Sequence, residues 1–250
     1  MAIADLPSPA VESQKQPQAK IPRYLTENVR DDALLESELL LLSFATGIQD
    51  AAAWPDYTCF ASNQTGNTLF LAIGAAGLAD NAYSFTNIGM SLGAFIAGGL
   101  VMGQLGNYFG VRKRFWLLLS NLIQTLMVYA AAAIRYHTPL NREGPVALTV
   151  IFLLAFSSGG QVAMGRGLKI TEITTAMATA AYVDAVVDPR FLAWKNRPRN
   201  RRVLFLILLT AGCFVGAFAQ KGVDSTFPIT LCGIGKSIVT VAFMFNKSVD

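Results

Sequence analysis

VLFLILLTAGCFVGAFAQ, residues 203–220, runs for eighteen side chains without a single charge. A helix needs about 20 mostly apolar residues to cross the roughly 30 Å hydrocarbon layer of a bilayer. Just before it, Arg190, Lys195, Arg197, Arg199, Arg201 and Arg202 crowd the segment 190–202. An apolar run with cations gathered at one flank is the pattern of a spanning helix that leaves a cytoplasmic loop. Five more stretches read the same way, at about 33–54, 84–108, 115–134, 145–164 and 226–246.

The rest of the chain agrees with a lipid solvent. Of its 250 residues, 14% are charged and 53% hydrophobic, against about 25% charged in an average soluble domain. Such a chain has too few charges to coat a water-facing globule of its size. The net charge is +4, but the basic residues sit in short loops between apolar segments. No basic face interleaved with aromatics appears, so nucleic acid is not an expected partner. Cys59, Cys213 and Cys232 are scattered in or beside apolar segments, and the one histidine, His137, has no His or Cys nearby. They read as packing thiols and a loop residue, with no metal site.

Two shorter apolar segments, near 63–80 and 172–187, open with the polar runs Ser62-Asn63-Gln64-Thr65-Gly66-Asn67 and Thr171-Glu172-Ile173-Thr174-Thr175. If both crossed, the Arg112-Lys113-Arg114 loop and the 190–202 loop would lie on opposite sides. If neither crosses, both basic loops, the basic end of the N-terminal tail, Arg166 and Lys169 share one side. The concentration of Lys and Arg in cytoplasmic loops favours the second arrangement; eight crossings is the alternative. Backbone of that kind survives at membrane depth when it is buried in protein or lines a wet cavity. The reading is an all-α membrane protein with six transmembrane helices, two short or re-entrant helices, and both termini in the cytoplasm. Residues 1–32, with Pro7, Pro9, Pro17 and Pro22 among Ser, Gln and Lys, read as a disordered cytoplasmic tail with no cleaved leader. Residues 33–250 form the transmembrane domain, and the plasma membrane is the expected location.

The chain also repeats itself. Gly47-Ile48-Gln49-Asp50-Ala51 matches Gly159-Gly160-Gln161-Val162-Ala163 at an offset of 112. Gly99-xxx-Gly103 and Gly212-xxx-Gly216 follow at an offset of 113. The halves span about 33–134 and 145–246. With three crossings each they have opposite orientation, an inverted repeat with broken helices at its interface, which is a common transporter plan. The glycine spacings let helix backbones approach closely, within the bundle or in a homo-oligomer.

The residues that are expensive to bury mark a candidate site. Asp50, near the end of the first span, either carries a coupling proton or lies at the interface beside Trp54, Pro55 and Asp56. Gln49 and Gln161 are a symmetric pair of amides, fit either for a ligand or for bonding helix to helix. Asn63, Gln64, Thr65 and Asn67 surround Gly66, where backbone N–H groups can hold an anion or polar solute and where side chains also cap the helix. Thr174 and Thr175 are their counterparts in the second half. Lys236 interrupts the last span, and a pairing with Asp184 across the bundle is one use for it. No nucleophile elbow, zinc-protease, phosphate-loop or dinucleotide motif is present, so neither an enzyme nor a cofactor is expected.

With Phe60-Ala61-Ser62 between them, the G-x-x-D-A helix end at Gly47–Ala51 and the Thr65-Gly66-Asn67 triplet resemble the YoaK family of small integral membrane proteins. A second signature of that family, G-x-Q-x-A before a Thr-rich run, matches Gly159–Ala163 and Thr171–Thr175. The likeness covers about 35–245, and the long polar tail looks like that of fungal-type members. Where many relatives have Thr-Gly in the second run, this chain reads Thr175-Ala176. The resemblance implies a six-span membrane protein and brings no activity with it. Taken together, the residues point to a permease of a small polar solute embedded in the lipid bilayer. A non-transporting scaffold or sensor is the alternative, and a membrane enzyme on a lipid-like substrate fits less well.

Overall fold

The computed structural model describes residues 23–78 and 82–249. Among them the chain is all-helical: α1 Arg23–Thr26, α2 Ala33–Tyr57, α3 Gln64–Ala75, α4 Phe85–Phe109, α5 Arg114–His137, α6 Pro145–Gly167, α7 Ala178–Val186, α8 Arg197–Gly222 and α9 Thr226–Ala242. The six long helices fall where the apolar runs place them. Four of them, α4, α5, α6 and α8, are long and apolar enough to cross a membrane. The other two depart from that description for visible reasons. Helix α2 carries Glu36, Glu38, Asp50 and Asp56, and α9 has 17 residues. The chain is a helical membrane protein.

Each long helix joins two ends of the bundle. At one end, Arg112 bonds to the carbonyls of Val29 and Leu168, Arg114 to those of Tyr24 and Asn246, and Arg201 reaches Asp31, Glu36 and Glu172. At the other, Asn87 joins the carbonyls of Tyr57 and Arg142, while Asp56 meets Arg135 and Gln220. We call these the basic end and the far end. Residues 23–32, read from composition as disordered, form a strap across the basic end. Their backbone bridges Asn28 to Lys113 and Val29 to Ser248, and Asp32 caps α2 through the amides of Leu34 and Leu35. The strap holds because Arg114, buried to 1% exposure, takes its carbonyl partners from both termini. The prolines at 7, 9, 17 and 22, on which the tail reading rested, lie outside the described residues.

Packing runs in the order α4–α6–α5–α9–α2–α8, with α3 on α4 and α7 on α8. The tightest contacts exchange partners between the two halves of the chain: α2 packs on α8, and α6 on α4. Glycine makes them possible. Gly212 presses on the Phe44 carbonyl and Gly98 on the Phe156 carbonyl, while Gly47 faces Leu209 and Gly159 faces Phe95. The sequence match therefore slips by one residue. Gly98, not Gly99, stands where Gly212 stands, and Gly99 only touches the Gly159 carbonyl at 3.7 Å. The reason is rotational: one residue is about 100° around a helix, and only Gly98 points along the line between the axes. These glycine faces are occupied within the chain.

Candidate functional site

Helix α2 stops at Thr58, whose φ of 53° takes the chain into the left-handed region. The Ser84 amide just before α4 donates to Thr58 Oγ1 at 3.1 Å, and Asn87 Nδ2 donates to the Tyr57 carbonyl at 2.9 Å. The chain therefore leaves α2 and enters α4 at the same level of the far end. Between those points it folds inward. The amides of Ala61 and Ser62 donate to Asp50 Oδ1 at 2.9 and 2.8 Å, and the Ser62 hydroxyl donates to Oδ2 at 2.5 Å. Asp50 precedes Tyr57 by seven residues, about 10 Å of helix. Ser91 lies equally deep on α4, where it donates to the Phe60 carbonyl and accepts from Gln64 and Asn67. Helix α3 then climbs back, with the Tyr83 hydroxyl on the Phe70 carbonyl at 2.7 Å.

The second break mirrors this from the basic end. Thr175 adopts φ 60° without being glycine and packs on Gly165. Its left-handed turn carries a strain of order 1–3 kcal/mol. Helix α7 returns toward the basic end, where Asp184 and Asp188 approach Arg202. Its N-cap, Met177, offers no side-chain acceptor, so its first amides go without a side-chain cap.

The starts of α3 and α7 line one cavity of about 770 Å³, between α2 and α8 with Phe95 of α4 on its wall. Its polar surface comes from Asp50, Ser62, Asn63, Gln64, Thr65 and Thr179. Trp54, Phe60 and Phe214 give it an aromatic flank, with Trp54 stacked on Phe60 at 4.7 Å. Of the residues expected at a site, Asp50, Asn63, Gln64 and Thr65 meet here. Asn67 does not: fully buried, it donates to the Phe60 carbonyl, Gln64 Oε1 and Ser91, and accepts from the Phe60 amide. It staples the break. Thr174 bonds the Met177 carbonyl on the outer side of its loop, and the buried Thr175 faces Gly165. The cavity takes its second-half wall from Ala176–Ala180 instead. Among the described residues no cluster of His, Cys, Asp or Glu could hold a metal ion.

The match to known families covers this whole arrangement. A family model described as "Protein of unknown function (DUF1275)" matches residues 39–242. The chain belongs to that family. Its span in the DUF1275 model runs from the first turns of α2 to the last residue of α9, so both breaks and the cavity lie inside it and the strap outside. No curated protein and no solved structure matches the chain.

Beneath the cavity, the DUF1275 bundle is tied by a symmetric polar layer. Gln49 donates to Ser158 Oγ at 2.7 Å and to the Leu154 carbonyl; Gln161 donates to Thr46 Oγ1 at 2.8 Å and to the Leu42 carbonyl. Each amide thus crosses to the other half at corresponding residues, and the two do not bond to each other. Lys236, for which a pairing with Asp184 was one use, sits here instead. Its ammonium donates to Gln161 Oε1 at 2.5 Å and Gln124 Oε1 at 3.1 Å, and it is 1% exposed. Asp184 is on the exposed side of α7 with Arg202. Sequence alone offered only the oddity of a lysine in an apolar span; its amide partners come from other helices.

That layer makes a clear prediction. Gln161→Leu leaves a buried ammonium with one acceptor and should lose about 3–5 kcal/mol of stability, the penalty of orphaning a buried charge. Lys236→Met removes the charge and strands only neutral amide oxygens on Gln124 and Gln161, which cost less than an orphaned charge, so it should lose less stability. Thermal unfolding of both variants in one detergent checks the order, and equal losses would overturn it.

Proposed function

We propose that this chain is a permease for a small solute bearing a polar, electron-rich group. The carrying observation is that two short helices, entering from opposite ends of the bundle, begin at one cavity. Helix N-termini present positive dipole ends and free amides, and broken helices meeting between chain halves are how many secondary transporters hold substrate. The aromatic flank suits a solute with an apolar side. Six crossings with both termini in the cytoplasm fit the charge distribution: Arg112, Lys113, Arg114, Arg166, Lys169 and the 190–202 cations all gather at the basic end. An inverted repeat is supported by the exchanged α2–α8 and α6–α4 contacts and by α3 and α7 starting from opposite ends. The motifs shared with the YoaK family, and the fungal-type tail, support a place among those members. No step of this reading is enzymatic.

The test is flux into vesicles of phosphatidylcholine containing the purified chain, followed by light scattering with urea, glycerol, acetate, lactate and glycine. At least one solute should enter faster than into protein-free vesicles, and Thr65→Trp, which projects a large ring into the cavity beside the start of α3, should remove that excess. Absence of any excess, or an excess that Thr65→Trp leaves intact, would sink the proposal. In the same vesicles, single cysteines at 112 and 196 should label from one side, and those at 140 and 223 from the other.

A further inference from the structure

Away from the cavity, the loop between α7 and α8 is built in a way its length does not require. Asp188 accepts from the Arg190 amide at 2.8 Å and from Asn196 Nδ2 at 2.9 Å, and Asn196 also donates to the Arg190 carbonyl. These bonds hold the Asp188 carboxyl below its ordinary range, the Arg190 amide contributing most. Asn200 ties the Trp194 carbonyl, and Arg199 ties that of Ala193 while lying over Phe191. A loop pinned from within by five polar contacts turns its apolar tips outward. Leu192 is 87% exposed and Trp194 91%.

The cations beside those tips divide into two groups. Arg197, Arg201 and Arg202 are matched by Asp31, Glu36, Glu172, Asp184 and Asp188. Arg190 and Lys195 have no side-chain partner among the described residues. Lys195 lines a second cavity of about 380 Å³ with Arg197, Asn200 and Leu204, and with Glu36, whose carboxylate is already paired to Arg197 and Arg201. Leu204 opens the uncharged run of α8, the helix whose composition suits a membrane span. The cavity thus sits at the level where α8 passes from basic to apolar, the height of phospholipid headgroups.

We infer that the 190–204 segment is a binding site for an anionic phospholipid. The headgroup phosphate occupies the cavity against Lys195, with Arg190 outside the cavity on the same loop, and Leu192 and Trp194 enter the boundary of the acyl chains. Tryptophan favours that boundary because its ring is apolar and its N–H finds water or headgroup acceptors. Basic residues near an anionic surface each contribute a similar increment, so the site is electrostatic in origin and salt-sensitive. It is independent of the permease reading, since none of these residues lines the larger cavity.

The experiment is native mass spectrometry of the full chain released from micelles containing equal phosphatidylserine and phosphatidylcholine. The wild-type chain should retain phosphatidylserine preferentially. Arg190→Gln with Lys195→Gln removes no side-chain bond of the folded loop and should lower that retention about 25-fold, about fivefold per cation. Lys221→Gln, at the opposite end of α8, should leave it unchanged. Equal retention of both lipids overturns the inference, as does a double variant that keeps its preference. Displacement by millimolar inorganic phosphate would assign the site to free phosphate and overturn the lipid.

Discussion

Replacing Gly212 with alanine is expected to leave little correctly assembled protein. A Cβ built there falls inside the van der Waals surface of the Phe44 carbonyl oxygen, with the Phe44 carbonyl carbon at 2.9 Å. Nothing flexible can yield, because the obstacle is the backbone of α2. The helix pair must separate, and the contacts around it go too: Gly47 against Leu209 and Cys213, and Gly216 against Ile48 and Ala51. Overpacking a core costs about 1–3 kcal/mol where side chains can move; here the loss should lie at or above the top of that range. Gly98→Ala should behave alike, since it meets the Phe156 backbone on the partner helix pair. Gly89→Ala is the contrast, with nothing within 4 Å of its added methyl; it should be neutral or slightly stabilising, as alanine is the better helix former. Gel-filtration yield and thermal unfolding in detergent measure all three. A Gly212→Ala protein with wild-type yield and stability would show that α2 and α8 are not packed as described.

That glycine pattern marks how far the sequence could be read. The six long helices were legible because each is a mostly apolar run set between polar segments, even where Asp50 or Lys236 breaks it, and solvent chemistry selects that pattern. That Gln49 and Gln161 are set into the bundle interior was suggested as well, by two amides standing in apolar runs. Which glycine touches which carbonyl was not, because Gly98 and Gly99 differ only in direction, and direction depends on where the neighbouring axis lies. The same limit separates Asn67 from Thr65. Both stand in one polar run, yet Asn67 turns inward to the Phe60 backbone and Ser91, while Thr65 faces the cavity. Thr174 and Thr175 lie off the cavity wall, and their half of the break differs in composition. In the first half several side chains carry the polarity of the break, but in the second Thr179 is the one polar side chain on a wall otherwise made of Ala176, Met177, Ala178 and Ala180, a composition that gives no sign of a cavity. The strap was hidden because its order comes from Arg114 and the backbone of Ser248, far away in sequence.

Asp50→Ala should collapse the first break, whereas Asp50→Asn should largely preserve it. Both Asp50 oxygens are engaged: Oδ1 takes the Ala61 and Ser62 amides and Oδ2 the Ser62 hydroxyl. Alanine removes all three bonds and strands two amides on residues only 2% and 4% exposed. Bonds to a charged acceptor are worth about 1.5–3 kcal/mol each, and each unmet buried donor costs about 1–3. These losses overlap, since they describe the same contacts, so a deficit of about 3–5 kcal/mol is expected. Asparagine keeps Oδ1 for the two amides, and its Nδ2 can donate to a Ser62 hydroxyl that turns to accept. Its deficit should stay near 1 kcal/mol, the size of one ordinary hydrogen bond. Thermal unfolding separates the variants, and the order alanine far below asparagine is the decisive result; equal destabilisation would mean that the carboxylate does not hold the 60–63 turn. Flux through the asparagine protein then divides the two roles of Asp50. If it moves solute at the wild-type rate, the group is an acceptor that positions the start of α3. If it is folded but inactive, an ionisable carboxyl is needed at the cavity, because the turn is still in place.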